Sequence, residues 1–307
     1  MNPVTGDTCV IYNPSAGRGR GRKLFAAARA WAGPTADLRE TREPGHGVEL
    51  AEAAARDGFA RVIAAGGDGT VHEVANGLLR AGADGVRFGV WPIGSANDYA
   101  AMLNLSQWWD RRGRGVTLTA KAVDVGRVWS GSRSLYFVNC LGIGFNGMVA
   151  LESRKIRSLR GIPLYASAFV KAMLRHYTAP TLTVRYDDTA LTLPTLAATV
   201  NVGAREGGFP VTPDAVLDDG LFDYLHVSDA KRWQLARYLP ALIAGKLPRD
   251  HPKIRMGRCR RVSVTGETPL CVHADGEFFS RPADGVTGLE IELLQRKLLV
   301  EMGVKTD

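Results

Sequence analysis

The apolar positions of this chain follow two rhythms, and the change comes at about Ala120. Before it, short apolar runs at Thr8–Tyr12, Ala36–Thr41, Arg61–Ala65 and Phe88–Trp91 read as strands. Between them lie stretches with helical spacing: the Ala-rich Lys23–Trp31, then Val48–Arg56, Val71–Arg80 and Ala96–Leu103. Strands separated by helices of this length predict βαβ units on a parallel sheet. After the change, alternating and β-branched runs dominate: Val123–Val128, Ser134–Asn139, Leu182–Tyr186, Leu191–Val202, Phe222–Val227, Arg261–Thr265, Leu270–His273 and Leu289–Leu294. Ser130-Gly131-Ser132 marks a hairpin turn, and Met148–Ser158, Leu164–His176 and Trp233–Ala244 keep helical spacing. The pattern predicts an α/β domain with a parallel sheet over residues 1–125 and a mostly antiparallel β domain over 126–294. The apolar segment 295–307 is expected to return to the first domain.

Three loops of the first domain follow strands: Asn13–Gly19, Gly66–Thr70 and Pro92–Asp98. Open parallel sheets bind ligands beyond the carboxyl ends of their strands, so all three are expected to line one crevice. Gly66-Gly67-Asp68-Gly69-Thr70 is the most informative of them. Glycines at a strand-to-helix turn let the backbone approach a ligand, and the N–H groups of the turn and helix start attract anions. Asp68 would repel a bare phosphate, so the arrangement implies a cation between the two. Alone, the same residues would read as a Gly-rich turn with a solvated aspartate. The convergence of three loops favours the phosphate site.

Composition narrows the partners. The chain has 307 residues, is 45% hydrophobic and 23% charged, and carries a net charge of +8 from 39 Lys+Arg against 31 Asp+Glu. That balance favours an anionic partner: nucleotide, nucleic acid or membrane surface. The four cysteines, Cys9, Cys140, Cys259 and Cys271, are widely spaced and form no C-x-x-C pair, which argues against a disulfide framework or zinc site and fits a reducing cytoplasm. No apolar run has the length of a membrane span, and no signal pattern opens the chain.

Several motif matches fail on inspection. Gly142-Ile143-Gly144-Phe145-Asn146-Gly147 satisfies G-x-G-x-x-G, but no acid stands near Arg160–Leu164 where a ribose ligand would be needed. Gly17–Lys23 lacks the P-loop order, and His72-Glu73-Val74-Ala75-Asn76 has Asn76 where a zinc helix needs its second histidine. Two acidic clusters remain. Asp214, Asp218, Asp219 and Asp223 crowd a turn that reads either as a solvated loop or as a hard-cation site of carboxylate and carbonyl oxygens. Asp275-Gly276-Glu277 follows an apolar run. If the strand continues, the two carboxylates share a face and suit general-base work; the alternative is an exposed Asp-Gly hairpin turn.

Taken together, Asn13-Pro14-Ser15-Ala16-Gly17, Gly66–Thr70 and Pro92-Ile93-Gly94-Ser95-Ala96-Asn97-Asp98 resemble the catalytic domain shared by diacylglycerol kinases, sphingosine kinases and bacterial lipid kinases. The second half resembles that family's β domain through Asn139–Phe145, Gly207-Gly208-Phe209, Pro213–Gly220 and Asp275–Glu277, in the same order. Ser95 stands where the family usually has Thr, and Ala16 where it often has Ser. The resemblance implies the NAD kinase/diacylglycerol kinase-like fold: an α/β domain followed by a β-sandwich, with ATP in the cleft between them. It implies that Asn13, Pro14, Ser15, Ala16, Gly17, Thr41, Gly66, Gly67, Asp68, Gly69, Thr70, Ser95 and Asn97 hold the nucleotide, and that Asp68 organises Mg2+ on its phosphates. Glu277 becomes the base that takes the lipid hydroxyl proton, with Asp275 beside it. Asp219 and the carbonyls of Val216 and Leu221 become ligands of a second Mg2+, with Asp124 in the connecting network. These are the parts phosphoryl transfer needs: alignment, charge neutralisation and one carboxylate to accept a proton.

The expected reaction is ATP-dependent phosphorylation of a lipid alcohol, with diacylglycerol the leading acceptor. A sphingoid base, phosphatidylglycerol or NAD are the competing acceptors. The expected place is the cytoplasm, with peripheral docking on the inner face of the membrane, and a homodimer is compatible with the sequence. Basic residues at Arg154–Arg160 and Arg249–Arg261 are the candidate docking charges, alongside the apolar helix from Leu164. A non-catalytic basic module for nucleic acid or membrane ranks last. No aromatic–basic repeat supports it, so no nucleic-acid partner is expected.

Overall fold

A computed structural model describes residues 7–17, 29–30, 32–105, 117–156, 158–159, 161–249 and 251–304. The helix expected over Lys23–Trp31 falls almost wholly outside these residues, as do Arg18, Gly19, Arg157 and Arg160. The chain divides into two compact units, one of Met1–Val123 with Arg296–Asp307, the other of Asp124–Gln295.

The first unit contains β1 (Thr8–Tyr12), β2 (Asp37–Glu40), α1 (His46–Arg56), β3 (Arg61–Gly66), α2 (Asp68–Arg80), β4 (Arg87–Pro92) and α3 (Asp98–Met102). Its strands pair in parallel in the order β2-β1-β3-β4, with Cys9 opposite both Asp37 and Val62, and Val62 opposite Phe88. β1, β3 and β4 are buried along nearly their whole length, as their unbroken apolar runs require in a sheet covered on both faces. Helices α1 and α2 lie close: a Cβ on Gly77 would come within 2.4 Å of the Val48 carbonyl. The Glu73 carboxylate accepts N–H groups from Gly45 at 2.8 Å and Gly47 at 2.9 Å, closing the start of α1. That is the role of the acid in the discarded zinc-like pattern; Asn76 donates to the His72 carbonyl at 2.9 Å.

The second unit begins within β5 (Thr117–Ser130) and continues through β6 (Arg133–Phe137), β7 (Cys140–Gly144), α4 (Phe145–Lys155), α5 (Gly161–Arg175), β8 (Thr181–Tyr186), β9 (Thr189–Asn201), β10 (Phe222–Ser228), α6 (Arg232–Ile243), β11 (Ile254–Cys259), β12 (Arg261–Gly266), β13 (Val272–Ala274), β14 (Glu277–Ser280) and the first part of β15 (Gly288–Val304). Its pairings are antiparallel, running β14-β13-β7-β9-β8-β12-β15, with β10 between β9 and β11 and β6 on β5. Strand β9 links two sheets: Thr189–Pro194 pairs with β8, and Ala197–Asn201 with β7 on one side and β10 on the other. Its burial follows, alternating in the first half and continuous in the second. This is the α/β-plus-sandwich architecture that the sequence resemblance implies.

The glycines of Gly142–Gly147 have packing roles that agree with rejecting a dinucleotide loop. A Cβ at Gly142 would meet His273 Nε2 at 2.3 Å, and one at Gly147 would meet Cys271 Sγ at 2.6 Å. Gly144, at φ +76°, turns the chain from β7 into α4.

A buried histidine makes this unit sensitive to acid. His226 is held between the Tyr186 hydroxyl and the Thr195 hydroxyl, both at 3.1 Å, and burial lowers its pKa to about 4. Between pH 4 and 6.5 the unfolded chain binds a proton that the folded chain refuses, so stability falls as pH drops through that window. The loss is on the order of 3 kcal/mol. Denaturant unfolding at pH 7 and 4.5 should show it as the difference between wild type and His226→Gln, which lacks the titrating imidazole.

Candidate active site

In the first unit the carboxyl ends of β1, β3 and β4 bring three loops together. Asn13 leaves β1 with its N–H on the Ala65 carbonyl at 3.0 Å, and its Nδ2 donates to the Thr70 hydroxyl at 3.3 Å. Its Oδ1 accepts the Ser15 N–H at 2.9 Å, which turns the chain over Pro14 and Ala16, and Gly17 takes φ +58°. Thr41 joins the same edge, its N–H on the Tyr12 carbonyl at 2.9 Å. Gly66 accepts N–H groups from Ile93 at 2.7 Å and Gly94 at 3.2 Å. Gly67 and Gly94 then touch backbone to backbone: a Cβ on Gly94 would lie 2.5 Å from Gly67 Cα. Only glycine fits that crossing. Ser15 and Ser95 project into solvent at the loop tips, whereas Thr70 is buried against Gly66 and serves to position the loops.

Asp68 and Asn97 lock these loops to the helices behind them. Asp68 opens α2 and, through Oδ2, accepts the Asn97 N–H at 2.9 Å; the N–H groups of Asp98 and Tyr99 also bond to it. Burial, and then the carboxylate of Asp98, push its pKa up to about 7. Asn97 adopts a left-handed conformation, φ 53°, and donates to the Gly94 carbonyl at 3.1 Å, while its Oδ1 is buried without a hydrogen-bond partner. A carboxylate that burial disfavours when charged, next to an open amide oxygen, fits a hard divalent cation carrying a phosphate. Gly69 lies in the first turn of α2, where N–H groups without an intrahelical acceptor suit an anion.

The second unit supplies a different kind of centre. Asp275 and Gly276, at φ 52° and 87°, form the two-residue turn between β13 and β14. The strand therefore does not continue through them, and Asp275 and Glu277 do not share a face as a carboxylate pair. Asp275 instead accepts three backbone N–H groups at the start of β7: Val138, Asn139 and Cys140, each at 2.9 Å. It anchors the hairpin. Glu277, half-exposed at the head of β14, is gripped through Oε2 by Arg154 at 2.8 Å; the same guanidinium donates to the Gly276 carbonyl at 2.8 Å. Beneath the turn, His273 Nδ1 accepts the Gly276 N–H at 3.3 Å and its Nε2 faces Glu206 at 3.1 Å. Glu206 also receives Asn146 and the Thr199 hydroxyl. Arg154 and Glu206 were not legible from sequence because their partners lie far away along the chain, and His273, three residues from Gly276, belongs to no pattern of its own.

The four-aspartate turn is wired differently from the expected metal cage. Asp219 accepts the Leu221 N–H at 3.1 Å and pairs with Arg258 at 3.4 Å; Arg258 also reaches Asp223 at 3.3 Å. Asp124 receives the Gly220 N–H at 2.7 Å, and its own N–H meets the Leu217 carbonyl at 2.7 Å. Val216 presents an exposed side chain. Among the described residues no three acidic, His or Cys side chains converge as ligands. Arg258 offsets part of the negative charge of this turn, and no chemistry is derived through it.

Residues 7–128 match the family model of the diacylglycerol kinase catalytic domain, and residues 139–290 match that of the YegS C-terminal NAD kinase beta sandwich-like domain. A protein of Staphylococcus epidermidis named diacylglycerol kinase is 28% identical over 279 residues, covering 88% of this chain and 85% of its own. A diacylglycerol kinase of Staphylococcus aureus is 27% identical over 278 residues with the same coverage. A solved structure from Bacillus anthracis str. Sterne superimposes with a TM-score of 0.74 at 21% identity, covering 96% of both chains. That last likeness establishes the fold.

Proposed function

Because the chain belongs to the diacylglycerol kinase catalytic-domain family and is a lipid kinase, we propose that it transfers the γ-phosphate of ATP to the free hydroxyl of diacylglycerol, giving phosphatidic acid. The observation that carries the nucleotide half is the Asp68–Asn97 lock at the meeting of three glycine-bearing loops. Backbone N–H groups of Gly17, Gly67–Gly69 and Ser95 would hold the phosphates on a loop shaped by Asn13, Pro14, Ser15 and Ala16, and Asp68 with Asn97 Oδ1 would hold Mg2+. When bound, Mg2+ neutralises the charge that builds on the phosphate oxygens.

Glu277 carries the acceptor half. Arg154 fixes Oε2, and Oε1 takes the hydroxyl proton as the alkoxide oxygen bonds to the γ-phosphorus and ADP leaves with the old bridging oxygen. Asp275 and His273 hold the turn that aims this carboxylate. The diacylglycerol assignment also draws on the names of the staphylococcal relatives. The test is incubation with γ-labelled ATP and Mg2+ across a panel of diacylglycerol, sphingosine, phosphatidylglycerol and NAD. Label is expected in phosphatidic acid. Label in NAD with every lipid inert would end the reading, and label in another lipid would change the acceptor.

A further inference from the structure

Six large apolar side chains stand exposed among the described residues, and four of them lie on two helices of the second unit: Val170 and Leu174 on α5, Trp233 and Ile243 on α6. The helices are neighbours. Arg232 at the head of α6 stacks 5.2 Å over the Tyr177 ring just past α5, and Leu235 packs on the cluster that contains Phe169 and Met173. Helix α6 has no buried residue at all. Its outward stripe, Trp233, Ala236, Arg237, Pro240 and Ile243, recurs every three to four positions and is mostly apolar where a solvent-facing stripe would be polar. A surface of this kind marks a contact with something other than water.

Charge identifies the occupant. No acidic residue occurs between Ser153 and Tyr186, and none between Ala230 and Arg249. Lys171 is exposed on α5, where Arg175 reaches Glu152 at 3.4 Å, and Lys231, Arg232, Arg237 and Lys246 are exposed on α6 or beside it; Asp229, at the edge of the face near Tyr177, pairs with Lys253 at 3.2 Å. An interfacial helix on an anionic bilayer has this composition: aromatic and aliphatic side chains to enter the acyl boundary, cations to meet lipid phosphates, and no acids to repel them. No helix among the described residues is long and apolar enough to cross a membrane, so the contact lies along the surface.

We propose that the α5–α6 face, centred on Trp233, is the surface by which this protein docks on an anionic membrane. The proposal rests on the lipid-kinase reading for its purpose, since the acceptor must be taken from a bilayer; its binding chemistry stands without it. The test is sedimentation of the full chain with phosphatidylglycerol vesicles and with phosphatidylcholine vesicles. Wild type should bind the first, weaken as salt is raised, and show a blue shift in tryptophan emission that Trp233→Phe abolishes. Trp233→Ser with Ile243→Ser should bind at least about tenfold more weakly, as should Arg237→Glu, which removes no apolar contact. Both variants should keep wild-type activity on a short-chain diacylglycerol dissolved below its micelle concentration, which shows that they are folded.

Equal vesicle binding by wild type and both variants would overturn the proposal, as would failure of wild type to bind phosphatidylglycerol. A variant that falls from dimer to monomer in sedimentation equilibrium, with vesicle binding intact, would make the face a self-association surface and overturn it equally. Absence of kinase activity on the dissolved diacylglycerol in wild type itself, with vesicle binding retained, would end the diacylglycerol reading and leave the docking face standing.

Discussion

Glu277→Gln is expected to cut phosphoryl transfer by about 10²–10⁴-fold while ATP binding stays unchanged. The amide keeps the shape of the side chain, and its oxygen can still accept from Arg154 at the place Oε2 now occupies. What it loses is the capacity to take a proton from the acceptor alcohol. Single-turnover rates with calorimetric ATP binding separate the two effects, and full activity would assign the base elsewhere. Asp275 gives the contrast. Removing its carboxylate leaves three N–H groups at Val138, Asn139 and Cys140 without their acceptor, so its variant should lose stability as well as rate.

Asp68→Asn is expected to reduce turnover by at least about 10²-fold, because the charge that recruits Mg2+ disappears. It should also change how the ion-free protein responds to pH. The folded-state pKa of about 7 lies above the ordinary 3.8, so between these values the folded chain keeps a proton that the unfolded chain has released. Stability from this group is therefore present at low pH and is lost as pH rises toward 7. Denaturant unfolding at pH 5 and pH 8, with chelator present, should show the stability of wild type relative to the variant falling as pH rises. Identical slopes would place the titrating group elsewhere, Asp98 being the adjacent candidate.

The strands of the first unit were legible because each is a short apolar run buried on both faces; Thr8–Tyr12 needs no other information. Helix α2 begins three residues before the expected Val71, because Gly67 is extended and Asp68, Gly69 and Thr70 already form its first turn. Gly69, which marks a loop in sequence, here sits inside a helix start. Strand β11 was hidden by its arginines: Arg255 and Arg258 are exposed while Ile254 and Cys259 face inward, so a strand looked like a charge run. Strand β14 was hidden by the turn before it. The motifs single out Asp68 and Glu277 but not their partners. Arg154 lies 123 residues from Glu277, and no local pattern can announce an ion pair made across that distance.

Strand β15 begins in the second unit and ends in the first. Its Val300 pairs in parallel with Phe88 on β4, and Glu301 meets Arg61 of β3 through two hydrogen bonds of 2.7 Å, in space that Gly89 leaves open. During ribosomal synthesis this segment emerges only after all of residues 124–295. The first unit therefore waits for residues 296–304 before its sheet is complete, and a nascent chain stalled before Arg296 would expose a bare β4 edge and leave the half-buried Arg61 without its counter-ion.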